Sequence, residues 1–257
     1  MLPLGSRVPD GIVARALPAE EDLFAELFAS VRWEDVGRGR QGAVLTRPDE
    51  SGGVPLVRTT TRYGSPAQRF RPVHERLARR IREQLALPAG FNNALIENYT
   101  DAYRTMGAHS DQALDLADGS FIALYSCYRD PDAAPPRKLV FEGKGDGGEG
   151  FEVPLVHNGV VAFSVGTNRR YRHRIVLDAP GPASDNRWLG VTFRTSKTLV
   201  RFRDGHAHLP GGARLVPADE DQSREFHRMR RRENHETDFA YPPLAYTVSG
   251  SDLVPPC

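Results

Sequence analysis

The sequence is short of cysteine and lysine and has no long apolar run, and each shortage closes off a class of protein. Its two cysteines, Cys127 and Cys257, are far apart and make neither a disulfide framework nor a C-x-x-C metal site, which points to a reducing cytoplasm. No apolar stretch nears the roughly 18 residues that cross a bilayer, and the N-terminus lacks the basic segment and apolar run of a secretory signal. No membrane partner is expected. Charge of one sign is also missing. The 34 basic side chains face 33 acidic ones, a net of +1 with histidines neutral, so no global field draws the chain to nucleic acid or lipid. Of those 34, only Lys138, Lys144 and Lys197 are lysines and the other 31 are arginines. Codon composition alone produces such a habit, so a single arginine carries weight only through its context.

What is present is ordinary globular material. At 257 residues, 39% hydrophobic and 26% charged, the chain has enough apolar side chains for one sizeable core, as one large domain or a domain with an appendage. From Pro18, Leu23, Phe24, Leu27, Phe28 and Val31 follow helical spacing, with Glu20, Glu21 and Asp22 in the first turn, where acids favour the helix dipole. The polar, Gly/Pro-rich passage 37–55 reads as loop. A second helix is expected from Pro72 to Leu87, with Val73, Leu77, Ile81 and Leu85 in one stripe and Gly90 as the stop signal.

After Gly90 the pattern turns to short strand-like runs at 92–99, 120–128, 137–142, 151–156, 159–165, 171–177 and 188–195, punctuated by Gly, Pro, Asp and Asn. Many short strands without intervening helices predict a mainly β fold with flanking helices (α+β): an antiparallel sandwich or barrel carrying the two N-terminal helices on one outer face. Beyond Val200 the chain is polar, with the charge run HRMRRRENHE at 227–236, and reads as an appendage or lid.

The strongest local signal is His109-Ser110-Asp111. In extended chain, residues two apart project to the same side, so an imidazole and a carboxylate converge, and one more histidine makes a facial triad for a divalent first-row metal. His173, inside the strand-like YRHRIVL, is the best third member. His157 lies near a turn and is expected in solvent, and His206 and His208 read as surface loop. Further on, Arg194 ends the apolar GVTFR, where a guanidinium must find an anion and fits a carboxylate bidentately.

The segments FNNALIENYTDAYRTMGAHSD (91–111), SFIALYSC, NGVVAFSVGTNRRYRHRI (158–175) and GVTFR (190–194), with the earlier TTTRYGSPAQRF (59–70), resemble the AlkB family of Fe(II)- and 2-oxoglutarate-dependent dioxygenases over roughly residues 20–200. The resemblance implies a double-stranded β-helix (jelly-roll) domain over 1–200, with a substrate lid at about 55–71 and a C-terminal extension over 201–257. It implies iron on His109, Asp111 and His173, Arg194 on the distal carboxylate of 2-oxoglutarate, Tyr99 hydrogen-bonded to the same co-substrate, dioxygen as oxidant, and Tyr63 as a lid aromatic. Such enzymes hydroxylate, or dealkylate at nitrogen, with release of succinate and CO2.

The match departs at several positions. Where the family carries an arginine six residues before the last one stands Trp188; Arg187 is one off and serves only if a bulge reverses its face. Gly190 replaces an asparagine, and Glu97 stands at a co-substrate contact. Four residues past His109, where nucleobase demethylases carry an acid, is Ala113, with Asp115 as the only nearby substitute. Arg172 and Arg174 alternate beside His173 and are expected on the outer sheet face, and the run Arg228 to Arg232 is interleaved with Glu225, Glu233 and Glu236. The reading is therefore an oxidoreductase acting on a small polar metabolite. Oxidative demethylation of alkylated DNA or RNA is the alternative, and a non-catalytic iron/2-oxoglutarate sensor is a third reading.

Overall fold

A computed structural model describes residues 11–18, 22–132, 136–145, 149–177 and 186–257. The elements in chain order begin with β1 (Ile12–Ala16), α1 (Leu23–Ala29), β2 (Glu34–Gly37), β3 (Arg40–Thr46), β4 (Val54–Leu56), β5 (Gln68–Arg69), α2 (Pro72–Gln84), β6 (Asn93–Tyr99) and β7 (Phe121–Tyr128). They continue with β8 (Lys138–Gly143), β9 (Phe151–Pro154), β10 (Gly159–Ser164), α3 (Val165–Arg170), β11 (Tyr171–Val176) and β12 (Trp188–Arg194), then β13 (Thr198–Arg203), β14 (His206–His208), β15 (Val216–Pro217), α4 (Glu220–Glu233) and β16 (Tyr246–Thr247).

Strand alternation divides the apolar side chains between two cores. The large sheet runs β1-β10-β7-β12-β6-β3-β2, with β5 on β3, and the small one β11-β8-β9. On β7 and β12 the odd-numbered Ala123, Tyr125, Cys127, Leu189, Val191 and Phe193 face the helices and pack with Leu27, Leu77 and Ile81. Their even-numbered neighbours Ile122, Leu124, Tyr128 and Trp188 face inward, toward Leu139, Phe141, Val153 and Ile175 of the small sheet. Each fully buried aliphatic side chain stabilises by about 1.5–3 kcal/mol relative to exposure, so both faces hold the large sheet in place. The two sheets facing one another, antiparallel throughout except where β5 joins β3 in parallel, make the jelly roll, with the helices outside.

Several sequence expectations are corrected here. The first helix starts at Leu23, where the Asp22 carboxylate caps the Phe24 N–H at 2.9 Å; Glu20 and Glu21 lie outside the described residues. α2 ends at Gln84, short of the expected Leu87, because Ala86 takes the left-handed turn (φ 50°) and its N–H reaches Glu83. The passage expected as loop contains β3, paired with β6 along its whole length. Its polar start hid it, since Arg40 and Gly42 face inward while Ala43 and Leu45 are buried on the helix side. The strands before and after 165–170 lie in different sheets, and α3 carries the chain between them. His157 is half-buried and accepts the Tyr128 N–H at 3.1 Å. His206–His208 form a short strand on β13. Among the described residues no helix is long and apolar enough to cross a membrane.

Candidate active site

β11 and the loop after β6 meet through two reciprocal main-chain hydrogen bonds: His109 N–H to His173 O at 3.0 Å, and His173 N–H to His109 O at 2.7 Å. Residues paired in this way put their side chains on the same side, so the rings stand with centroids 4.8 Å apart. Asp111, two residues on, projects likewise. Its Oδ1 lies 3.6 Å from His173 Nε2 and 3.9 Å from His109 Nε2. Among the described residues these three make the one group of His, Cys, Asp or Glu whose ligand atoms converge closely enough to hold a metal.

Each member is in the state a metal needs. Nδ1 of His109 lies 2.9 Å from the Gly107 carbonyl, and donating there leaves the Nε2 lone pair toward the centre. Burial lowers the His109 imidazole below its ordinary value, and burial together with the neighbouring His109 pushes His173 down to about 3, so both rings are neutral. Burial works to raise Asp111, but Arg194 and His173 beside it hold its carboxyl well below the usual range. Two neutral imidazoles and one carboxylate on one face suit a divalent first-row metal with open positions.

The triad forms part of the wall of a cavity of about 600 Å³. Arg194 enters it from the inner face of β12, and its Nε donates to Asp111 Oδ2 at 2.7 Å. The guanidinium expected to serve a co-substrate alone is thus shared with the aspartate; its two terminal nitrogens make no hydrogen bond among the described residues and remain for an anion. Arg187 is not brought to the site. β12 pairs in unbroken register with β6 and β7, so no bulge reverses its parity, and Arg187 lies with its guanidinium 5.8 Å from the Phe28 ring on the helix side.

Three other expected residues serve the frame. Tyr99 is fully buried and donates its hydroxyl to Glu97 at 3.0 Å. Glu97 does line the cavity, held by Arg40 Nε at 2.7 Å. Asp115 is 1% exposed and takes Arg58 through both carboxylate oxygens, at 2.8 and 3.0 Å, which removes it from substrate contact. Tyr63 is buried beneath the C-terminal segment, its N–H on Ser249 Oγ, while Val57 to Thr61, from the segment expected as a lid, line the cavity. Arg172 and Arg174 lie on the outer face, both on Glu142.

Sequence reasoning missed the clamp around the triad. Asn168 of α3 receives the Asp111 N–H and donates to the Asp111 carbonyl, at 2.8 and 2.7 Å. From α4, Asn234 receives the Ser110 N–H, Glu233 the Ala113 N–H, and Arg230 donates to the Ser110 carbonyl. Arg230 is in turn paired with Glu233. Only the alternation of arginine and glutamate in 227–236 hinted at it, and that pattern is equally that of a solvated helix.

No family model matches this sequence, and no curated protein does. Solved structures do. The structure of OsALKBH1 is 16% identical and superposes with a TM-score of 0.52 over 74% of this chain and 99% of that one. The two chains share a fold. A 2OG-Fe(II) oxygenase family oxidoreductase from Burkholderia pseudomallei (17% identical, 72% of this chain and 84% of that, TM-score 0.45) and a prolyl-4-hydroxylase from Pseudomonas putida (17%, 72% and 92%, 0.41) are also matched.

Proposed function

We propose that this chain is an AlkB-like Fe(II)- and 2-oxoglutarate-dependent dioxygenase that oxidises a C–H bond of a small polar metabolite, in the cytoplasm. One observation carries the reading: two imidazole Nε2 atoms and a carboxylate oxygen converge at a cavity wall, beside a buried guanidinium with unspent donors. The shared fold with OsALKBH1 supports it.

His109, Asp111 and His173 would hold the iron. Iron and 2-oxoglutarate would supply the oxidation, in which dioxygen gives one oxygen atom to the substrate and one to succinate, with CO2 released. The protein's part is positioning. Arg194 keeps Asp111 ionised and oriented, and offers its terminal nitrogens to a co-substrate carboxylate. Asn168 fixes the Asp111 backbone from both sides. Leu124, Leu139, Phe163 and Ile175 make the neighbouring wall apolar and limit water at the reacting carbon. Position 113 offers no acid to a nucleobase and commits its N–H to Glu233, which favours the metabolite over an alkylated base.

The test is succinate release from anaerobically iron-loaded protein on adding oxygen and 2-oxoglutarate, with metabolite pools and alkylated oligonucleotides as candidate substrates. Turnover lost in His109→Ala and in His173→Ala is the expected result. Arg194→Ala weakens 2-oxoglutarate binding about 10- to 100-fold, the range of one charge-assisted contact. Turnover unchanged in His109→Ala overturns the reading.

A further inference from the structure

We infer that the substrate of this cavity carries an oxyanion, a carboxylate or phosphate, and that Arg231 of α4 recognises it. The inference rests on the oxygenase reading for the place where chemistry occurs, and on charge accounting for the ligand.

α4 and its C-cap Asn234 present His227, Arg230, Arg231 and Asn234 to the cavity, the i, i+3, i+4, i+7 spacing of one helix face. Four of its five arginines are neutralised by carboxylates: Arg224 by Glu220 and Asp221, Arg228 by Glu225, Arg230 by Glu233, and Arg232 by Glu236. The other arginines lining the cavity are matched in the same way, Arg40 to Glu97, Arg58 to Asp115 and Arg194 to Asp111. Arg231 is the exception. It lines the cavity, is exposed at the mouth, and among the described residues has neither a carboxylate partner nor a hydrogen bond of its own.

A wall that cancels every guanidinium except one leaves a single positive charge for a guest to complete. A planar fork with all its donors free is matched to an oxyanion. The same cancellation counts against nucleic acid. A polyanion draws its affinity from several unspent cations along a track, and α4 keeps one. A cavity of about 600 Å³ is sized for a co-substrate and a small second molecule.

The experiment uses full-length protein loaded with Zn(II) in place of iron and saturated with 2-oxoglutarate, so that no turnover occurs. Ligand-observed NMR measures dissociation constants for inorganic phosphate, phenyl phosphate and phenylacetate, with phenol and phenylacetamide as neutral counterparts. At least one oxyanion should bind while its neutral counterpart does not, and the preferred one distinguishes phosphate from carboxylate. Arg231→Ala should weaken that binding about 10-fold, Arg231→Lys should recover part of it, and 2-oxoglutarate affinity should stay as in the wild type. Oxyanions bound no better than their neutral counterparts, or bound equally by Arg231→Ala, overturn the inference. So does a single-stranded oligonucleotide bound more tightly than either acid, with steep salt dependence and through Arg231. Failure of 2-oxoglutarate itself to bind sinks the oxygenase reading instead, and the oxyanion series on the Zn(II)-loaded protein without it still judges Arg231.

Discussion

Replacing Asp115 with asparagine separates a substrate contact from a structural tie. The Asp115 carboxylate receives three donors from Arg58: the main-chain N–H at 2.9 Å and Nε at 3.0 Å on Oδ2, and Nη2 at 2.8 Å on Oδ1. Nη1 of Arg58 continues to the carbonyls of Leu244 and Tyr246, so the pair fastens the C-terminal segment to the strand region. Both side chains are almost wholly buried, at 4% and 1% exposure.

In Asp115→Asn the shape survives, but an NH2 group must face an Arg58 donor, and the guanidinium is left buried without a counter-charge. Breaking a buried pair from one side costs about 3–5 kcal/mol. For a chain of this size each kcal/mol lowers Tm by roughly 2–4 °C, so a fall of roughly 6–20 °C is expected by differential scanning calorimetry. Faster amide exchange should appear at Tyr246 and Thr247, the segment Arg58 holds. The double variant Arg58→Met/Asp115→Leu should recover part of the loss, giving a coupling energy of about 2 kcal/mol or more. Full recovery is not expected, because the two carbonyls lose their donor. A Tm within about 2 °C of wild type, together with a selective rise in KM, would refute this reasoning and return Asp115 to the substrate.

Two further perturbations test the fold around the site. A Cβ on Gly190 would lie 2.2 Å from the Trp188 ring, which is buried, bonded to Ser126 at 2.7 Å and packed at a tilt against the Tyr99 ring, centroids 4.8 Å apart. Gly190→Ala should therefore cost about 1–3 kcal/mol and change the near-ultraviolet tryptophan signal; an unaltered Tm and spectrum would contradict the packing. Asp252 receives the Thr247 hydroxyl at 2.5 Å, and burial pushes its carboxyl up to about 7, with Asp115 adding to the rise and Arg58 and the Thr247 hydrogen bond opposing it. The native state thus holds this proton more tightly than the unfolded chain, so the stability it contributes is complete below about pH 4 and is lost as pH rises through 7. Between pH 5 and 8 that loss amounts to roughly 2–3 kcal/mol. Asp252→Asn should flatten that part of the Tm profile, and parallel profiles for the two proteins would count against it.

Periodicity alone located α2, four of the eight strands of the large sheet and all three of the small one, because burial on one or two faces writes itself into apolar spacing. It missed β1 to β5, β3 among them because Arg40 and Gly42 occupy its inner face, and it carried α2 on to Leu87 where Ala86 already makes the turn. At the site, the H-x-D spacing and the strand context of His173 and Arg194 were enough to name the converging residues. The face of Arg187 depended on whether a bulge existed, which only strand register could answer, and the pairing of β12 with β6 and β7 is unbroken.

The chain's local chemistry thus settled which groups could meet a metal and an anion, since two-residue spacing and strand burial are properties of short segments. Which guanidiniums remain available was settled by long-range pairing. Asp115 was consumed by Arg58, 57 positions away, and Tyr99 by Glu97 on its own strand; Asp111 shares Arg194, 83 positions away. In a sequence with 31 arginines, composition marks none of them. Folding neutralises the cavity's other guanidiniums one by one, and it is this that leaves Arg231 distinct.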